Sequence, residues 1–157
     1  MLQTLKNRDM NLVATVLSKE RAVKVIVCLD EKNGMLFNNR RQSQDRVVRG
    51  DMIDIASGSR LLVNEYTAGQ FKDDAGKICI SKMPMEEALE ADYCFIENLS
   101  LAEYKENIEE IVVYRWDKKY PADTFIDVDL GEYQLAEEKE MVGYSHEVIN
   151  REIYKRP

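Results

Sequence analysis

Positive charge and amide groups concentrate in one short segment of an otherwise acidic chain. Asn38-Asn39-Arg40-Arg41-Gln42-Ser43-Gln44 runs into Asp45-Arg46, and Arg49 follows. Arginine forks grip phosphate or carboxylate bidentately, and Asn or Gln amides can read the edge of a base or pterin. The segment therefore suits a small anionic ligand, nucleotide-like or pterin-like. The competing expectation is a solvated loop whose arginines pair weakly with Asp30, Glu31 and Asp51.

Other chemistry is sparse. His146 is the only histidine, which excludes multi-histidine metal sites. A Ser-His-Asp arrangement could use no other base. Cys28, Cys79 and Cys94 are odd in number, sit in apolar runs and fit no metal spacing, so they read as buried reduced thiols. No metal site is expected.

The bulk numbers limit the partners. The chain has 157 residues, 45% apolar and 32% charged, with a formal net charge of −7. That length suits one domain with a real core. The acidic balance argues against duplex nucleic acid and against anionic membrane surfaces. No apolar run reaches the roughly 20 residues of a membrane helix, and the N-terminus lacks a signal-peptide pattern. The chain reads as cytoplasmic, with a small molecule as its partner and a homodimer allowed.

The elements that must hold the Arg-rich segment come next. Val23 to Leu29 is β-branched and apolar almost throughout, as in a strand covered on both faces. Asp30 to Gly34 forms a turn, Met35 to Gln42 a loop, and Ser43 is the expected N-cap of a helix carrying Val47, Val48, Met52 and Ile55 on one stripe. Gly58 ends it. Further strands are expected at 60–64, 77–81, 92–96 and 111–116. Short helical pieces fall between them, one opening on the capping-box pattern Ser100 to Glu103. The segments 133–141 and 146–155 form a closing antiparallel pair. Residues 1–22 are an extension, with Met10, Val13, Val16 and Leu17 at helical spacing. Residues 23–157 form one α/β domain, a mostly parallel sheet flanked by helices with a C-terminal antiparallel hairpin.

This order of elements resembles dihydrofolate reductase over about residues 23–156. The segment Glu110-Ile111-Val112-Val113-Tyr114-Arg115-Trp116 with Tyr120-Pro121-Ala122-Asp123-Thr124-Phe125 is similar to the family's penultimate strand and Asp-Thr-Phe signature. Gly131-Glu132-Tyr133-Gln134-Leu135 resembles the entry to its final hairpin. Cys28 to Gly34 resembles its first strand and the start of its mobile loop.

The resemblance implies a catalytic carboxylate at Asp45 and NADPH contacts at Asn64, Thr67 and Asn98, and it aligns Tyr114 with the family's pterin-touching threonine. The end of the first strand and the Arg-rich loop add Asp30, Asn39, Arg40, Arg41 and Ser43 as ligand contacts. The family's chemistry is nevertheless altered. Its Leu-Pro-Trp is replaced by Asn39 to Ser43. Its phosphate-binding Gly-Arg-x-Thr is Asn64-Glu65-Tyr66-Thr67, and its Gly-Gly pair is Glu97-Asn98. An Arg-to-Glu change about 4 Å from a phosphate turns attraction into repulsion, a swing of several kcal/mol. The sequence thus points to a divergent protein with degraded NADPH and folate motifs that binds a small anion. The alternatives are an NADPH-dependent reductase of dihydrofolate, pterin or flavin, and a non-catalytic scaffold or regulatory protein.

Overall fold

The computed structural model describes residues 21–157, so the helix expected between Met10 and Leu17 lies outside the described residues. The central strand is β1 (Val23–Leu29), as its unbroken apolar run predicts. It lies between β6 (Tyr93–Phe95) and β7 (Ile108–Trp116) and runs parallel to both. Two more parallel strands, β4 (Leu61–Val63) and β5 (Cys79–Ile80), extend the sheet on the β6 side. On the other side β10 (Ile149–Lys155) and β9 (Gln134–Met141) add an antiparallel hairpin. The full order is β5-β4-β6-β1-β7-β10-β9. This is the α/β sheet with a closing antiparallel pair that the sequence predicts.

Side chains alternate between faces along each strand. Val23, Val25, Val27 and Leu29 of β1 join Ile111 and Val113 of β7 in one core layer, covered by Met35, Met85, Leu101 and Tyr133. Ile26, Val112, Tyr114 and Trp116 face the other way, against Val48 and Met52 of helix α1 (Arg46–Ile55). Helices α2 (Glu65–Ala68) and α3 (Pro84–Glu87) are single turns. The edge strand β9 is mostly exposed and charged, Glu137-Glu138-Lys139-Glu140, which discourages further strand addition.

Three expectations change. Met35 to Gln42 is a hairpin rather than a loop. Here β2 (Gly34–Phe37) pairs with β3 (Arg40–Arg41), and β8 (Thr124–Phe125) flanks β2 in a second, three-stranded sheet. Asn38 and Asn39 make its turn at φ 52° and 61°, a left-handed pair that asparagine tolerates. Second, the cap of α1 is Asp45, whose carboxylate accepts from the Val47 N–H, and Ser43 is left free for other contacts. Third, Ser100 does not cap the following turn. Its hydroxyl donates to Asp127, and residues 102–107 form a 3₁₀ turn.

Candidate functional site

The carboxyl ends of β1, β4 and β6 and the β2–β3 hairpin surround the place where an open α/β sheet presents ligands. Asp30 ends β1 and is 1% exposed. Its carboxylate accepts from the backbone N–H groups of Lys32, Gly34 and Tyr120 and from the Gln42 amide, at 2.8–3.2 Å. Burial by itself would raise its pKa, but these four donors outweigh it and hold the carboxyl below its ordinary value. Asp30 thus ties the β1–β2 turn, Gln42 and the segment after β7 into one unit. A Cβ on Gly34 would sit 2.9 Å from Oδ2 of Asp30, so this position accepts only glycine.

Arg41 points to the end of β6. Its guanidinium donates twice to Glu97, at 2.9 and 3.1 Å, and once to the Tyr66 carbonyl, and it lies over the Tyr66 ring. The Tyr66 hydroxyl accepts from the Arg41 N–H at 2.8 Å. Beside it the Asn64 amide donates to the side-chain Oδ1 of Asn98 at 2.7 Å, while Asn64 also caps α2 by accepting from the Thr67 N–H. The positions that the resemblance assigns to cofactor phosphates are therefore bound to one another. Glu97 is mostly buried and already compensated, and Thr67, on α2 itself, is fully buried with no partner for its hydroxyl among the described residues. These residues do not fit a dinucleotide phosphate: the guanidinium at this place, Arg41, is taken up by Glu97, and that carboxylate occupies the end of β6.

The four arginines that the sequence groups together are separated in space. Arg46 stacks on Tyr144 and Arg49 bonds Gln44, both on the α1 side. Arg40 is exposed and, like Arg46 and Arg49, in no ion pair among the described residues; unlike them it also has no ring or side-chain hydrogen-bond contact there. It lines a cleft of about 500 Å3 together with Phe37, Asn38, Arg41, Gln42, Tyr120 and Pro121. Asn39 is exposed at the turn but is not among these lining residues. The pairs expected with Asp30, Glu31 and Asp51 do not form; Asp51 takes Arg151 at 2.8 Å. Tyr114 is fully buried and donates to Asp51 at 2.6 Å, and burial followed by that carboxylate pushes its pKa far up.

Asp45 sits at the start of α1, with its side chain fully enclosed. It accepts from the N–H groups of Val47, Tyr144 and Ser145 and from the Ser145 hydroxyl, and it faces Nδ1 of His146 at 2.9 Å. Burial would raise its pKa; the Tyr144 N–H, His146, the Ser145 N–H and the Val47 N–H together hold it well below the carboxylate range. His146 stacks on Trp116, with ring centres 4.5 Å apart. Its Nε2 lies 2.8 Å from the Ser43 hydroxyl and 3.3 Å from the Tyr120 hydroxyl. Sequence reasoning noted His146 only as the sole available base. Its 103-residue separation from Ser43 hid the contact.

The cysteines are free. Burial and then the Glu97 charge raise the Cys28 thiol well above its ordinary value, and burial pushes Cys94 up to about 12. Neither is a reactive thiolate. Among the described residues no cluster of His, Cys, Asp and Glu could hold a metal, and no helix is long and apolar enough to cross a membrane.

No protein-family model matches the sequence, and no curated protein is significantly similar to it. Solved structures do match in shape. A dihydrofolate reductase from Enterococcus faecalis, complexed with NADP(H) and RAB-propyl, superposes with a TM-score of 0.57 at 12% identity. The match covers 86% of this chain and 96% of that one. The chain has a divergent dihydrofolate-reductase-like fold.

Proposed function

We propose that this protein binds a small organic anion in the cleft around Arg40 and does not work as a nicotinamide-dependent reductase. The observation that carries this reading is the contrast between Arg40 and Arg41. Arg41 is neutralised by Glu97, whereas Arg40 is exposed and unpaired among the described residues, beside two aromatic rings and a proline. An unpaired guanidinium over an apolar wall favours a carboxylate or phosphate attached to a flat body. Phe37, Tyr120 and Pro121 supply the wall, and Asn38 adds an amide to the lining, the Gln42 amide being held by Asp30 and the Pro121 carbonyl.

The reductase alternative draws on the Enterococcus faecalis enzyme, which was solved with NADP(H). It requires the ends of β4 and β6 to receive phosphates. The Arg41–Glu97 pair and the Asn64–Asn98 bond weigh against it.

A thermal-shift screen of folates, flavins, nucleotides and simple aromatic carboxylates, run beside NADPH and NADH, tests the proposal. A shift with an anionic ligand that Arg40→Ala abolishes supports it. NADPH binding at low concentration with turnover of dihydrofolate sinks it, and silence from every ligand favours a scaffold.

A further inference from the structure

We infer that Ser43, His146 and Asp45 form a nucleophilic relay, so that the protein carries acyl-transfer or esterase chemistry at the start of α1. The order of contacts is that of a hydroxyl, a base and an orienting carboxylate. Ser43 Oγ is 2.8 Å from His146 Nε2, and His146 Nδ1 is 2.9 Å from Asp45 Oδ2. Such arrangements are recognised by geometry and roles, whatever the fold or chain order.

The protonation pattern follows from the partners. A carboxylate only accepts, so the ring hydrogen sits on Nδ1 and Nε2 is left as an acceptor. The nearest hydroxyl to that acceptor is Ser43. Four further donors and a helix start keep Asp45 ionised and fixed, and the Trp116 face sets the plane of the imidazole. A Cβ on Gly143 would lie 2.8 Å from Asp45 Oδ2 and 2.7 Å from the His146 carbonyl. The turn can therefore close on the carboxylate only because residue 143 is glycine.

The relay is also accessible. Ser43 is half-buried rather than enclosed, and it follows directly on the hairpin that forms the cleft. Tyr120 joins the two places, since it lines the cleft and holds its hydroxyl 3.3 Å from Nε2. With Ser43 the closer donor to Nε2, the Tyr120 hydrogen is free to turn toward an oxyanion. A second depression, of about 390 Å3, opens on His146 from the side of Asp117 and Lys118.

The reaction balances without a cofactor. The Ser43 Oγ pair attacks the acyl carbon of an ester or thioester while its proton passes to Nε2. The carbonyl pair moves to oxygen and returns to break the bond to the leaving alkoxide or thiolate, which takes the proton from Nε2. Water then gives a proton to Nε2, adds to the acyl carbon and displaces Ser43 Oγ, which recovers that proton. One ester and one water become one acid and one alcohol. A preference for an ester bearing a second, anionic end rests on the Arg40 reading above; the relay itself does not.

The test treats the protein with a fluorophosphonate and, separately, with p-nitrophenyl acetate and p-nitrophenyl succinate. The phosphonate should add to Ser43 with loss of fluoride, located by peptide mass spectrometry, and both esters should be turned over. Ser43→Ala should abolish the adduct, and Ser43→Ala and His146→Gln should each slow acylation roughly 100-fold or more. Asp45→Asn keeps a side-chain acceptor at the cap and should slow acylation similarly, with a changed pH profile for the residual rate. Arg40→Ala should lower the rate on the succinate ester relative to the acetate ester, so an unchanged succinate preference counts against the anionic cleft and leaves the relay standing. No adduct at Ser43, turnover that survives Ser43→Ala, or an unchanged rate and pH profile in Asp45→Asn would overturn the relay and leave these residues as a latch on α1.

Discussion

Two places at the carboxyl edge of the sheet each bring a buried carboxylate to a polar side chain, and they end in opposite states. At the end of β6, Glu97 meets Arg41 in a two-pronged pair, and Asn64 meets Asn98. Both ionised groups there and the Asn64 amide are satisfied by neighbours, while the buried Thr67 hydroxyl has no partner among the described residues. At the start of α1, Asp45 is equally well satisfied, but its contact with His146 leaves a ring nitrogen and two hydroxyls aimed at one another. The first arrangement closes a site. The second fixes a base beside a nucleophile. A buried carboxylate therefore says little about function until the far side of its partner is known.

Removing Asp45 should have the largest effect. Asp45→Ala deletes the helix cap, about 1 kcal/mol, and strands the buried N–H groups of Tyr144 and Ser145 at roughly 1–3 kcal/mol each. A loss of about 3 kcal/mol or more in urea unfolding is expected. The same carboxylate sets the acid limit. Its folded pKa lies below the unfolded value of about 3.9, as does that of Asp30. Ionised, both groups stabilise the fold above that pH, and the stabilisation drains away as pH falls below about 4 toward their folded values. Asp45→Asn should flatten the slope of stability against pH in that range. An unchanged slope would show that Asp45 holds the turn less tightly than its contacts indicate.

How much of this contrast was legible in the chain depends on sequence distance. The β1 run, the apolar stripe of α1 and the closing hairpin follow local period and propensity, and they lie where the sequence puts them. The β2–β3 hairpin is hidden in the sequence because Asn38-Asn39 reads as loop polarity. Yet a pair of residues that tolerate positive φ after the apolar Met35-Leu36-Phe37 is a two-residue turn signal. The sequence puts the cap of α1 two residues early, since Ser43 and Asp45 are both good caps and only the Val47 bond distinguishes them. The cluster of four arginines dissolved because a strand, a tight turn and a helix send neighbours in different directions. Glu97 and His146 were invisible as partners of Arg41 and Asp45, being 56 and 101 residues away.

The closed region should respond next. Arg41→Leu leaves Glu97 buried, charged and unpaired, at a cost of about 2 kcal/mol or more in chemical denaturation. Arg41→Leu with Glu97→Leu should recover much of that loss, because two apolar groups need no mutual compensation. If the double variant is as unstable as the single one, the pair is not what closes this end of the sheet. A smaller change is expected at His146→Leu, which removes the bridge to Asp45 and the ring stacked on Trp116. Trp116 is the only tryptophan, so a changed emission in a still-folded variant reports directly on that contact.

The smallest effect on stability is expected where the functional effect should be largest. Arg40 is exposed and forms no pair among the described residues, so Arg40→Ala should move the unfolding midpoint by no more than the equivalent of about 0.5 kcal/mol. Arg41, one residue along, cannot be changed so quietly, because its loss uncovers Glu97. The two arginines thus form an internal control: both variants remove one positive charge from the same hairpin. If Arg40 is the free anion contact, Arg40→Ala abolishes ligand-induced melting shifts and leaves the unliganded melting point alone. Arg41→Leu should lower the unliganded melting point while shifts at the Arg40 cleft persist. The reverse pattern would place the ligand at the end of β6, against the Arg41–Glu97 pair, and would return the phosphate positions of the fold to use.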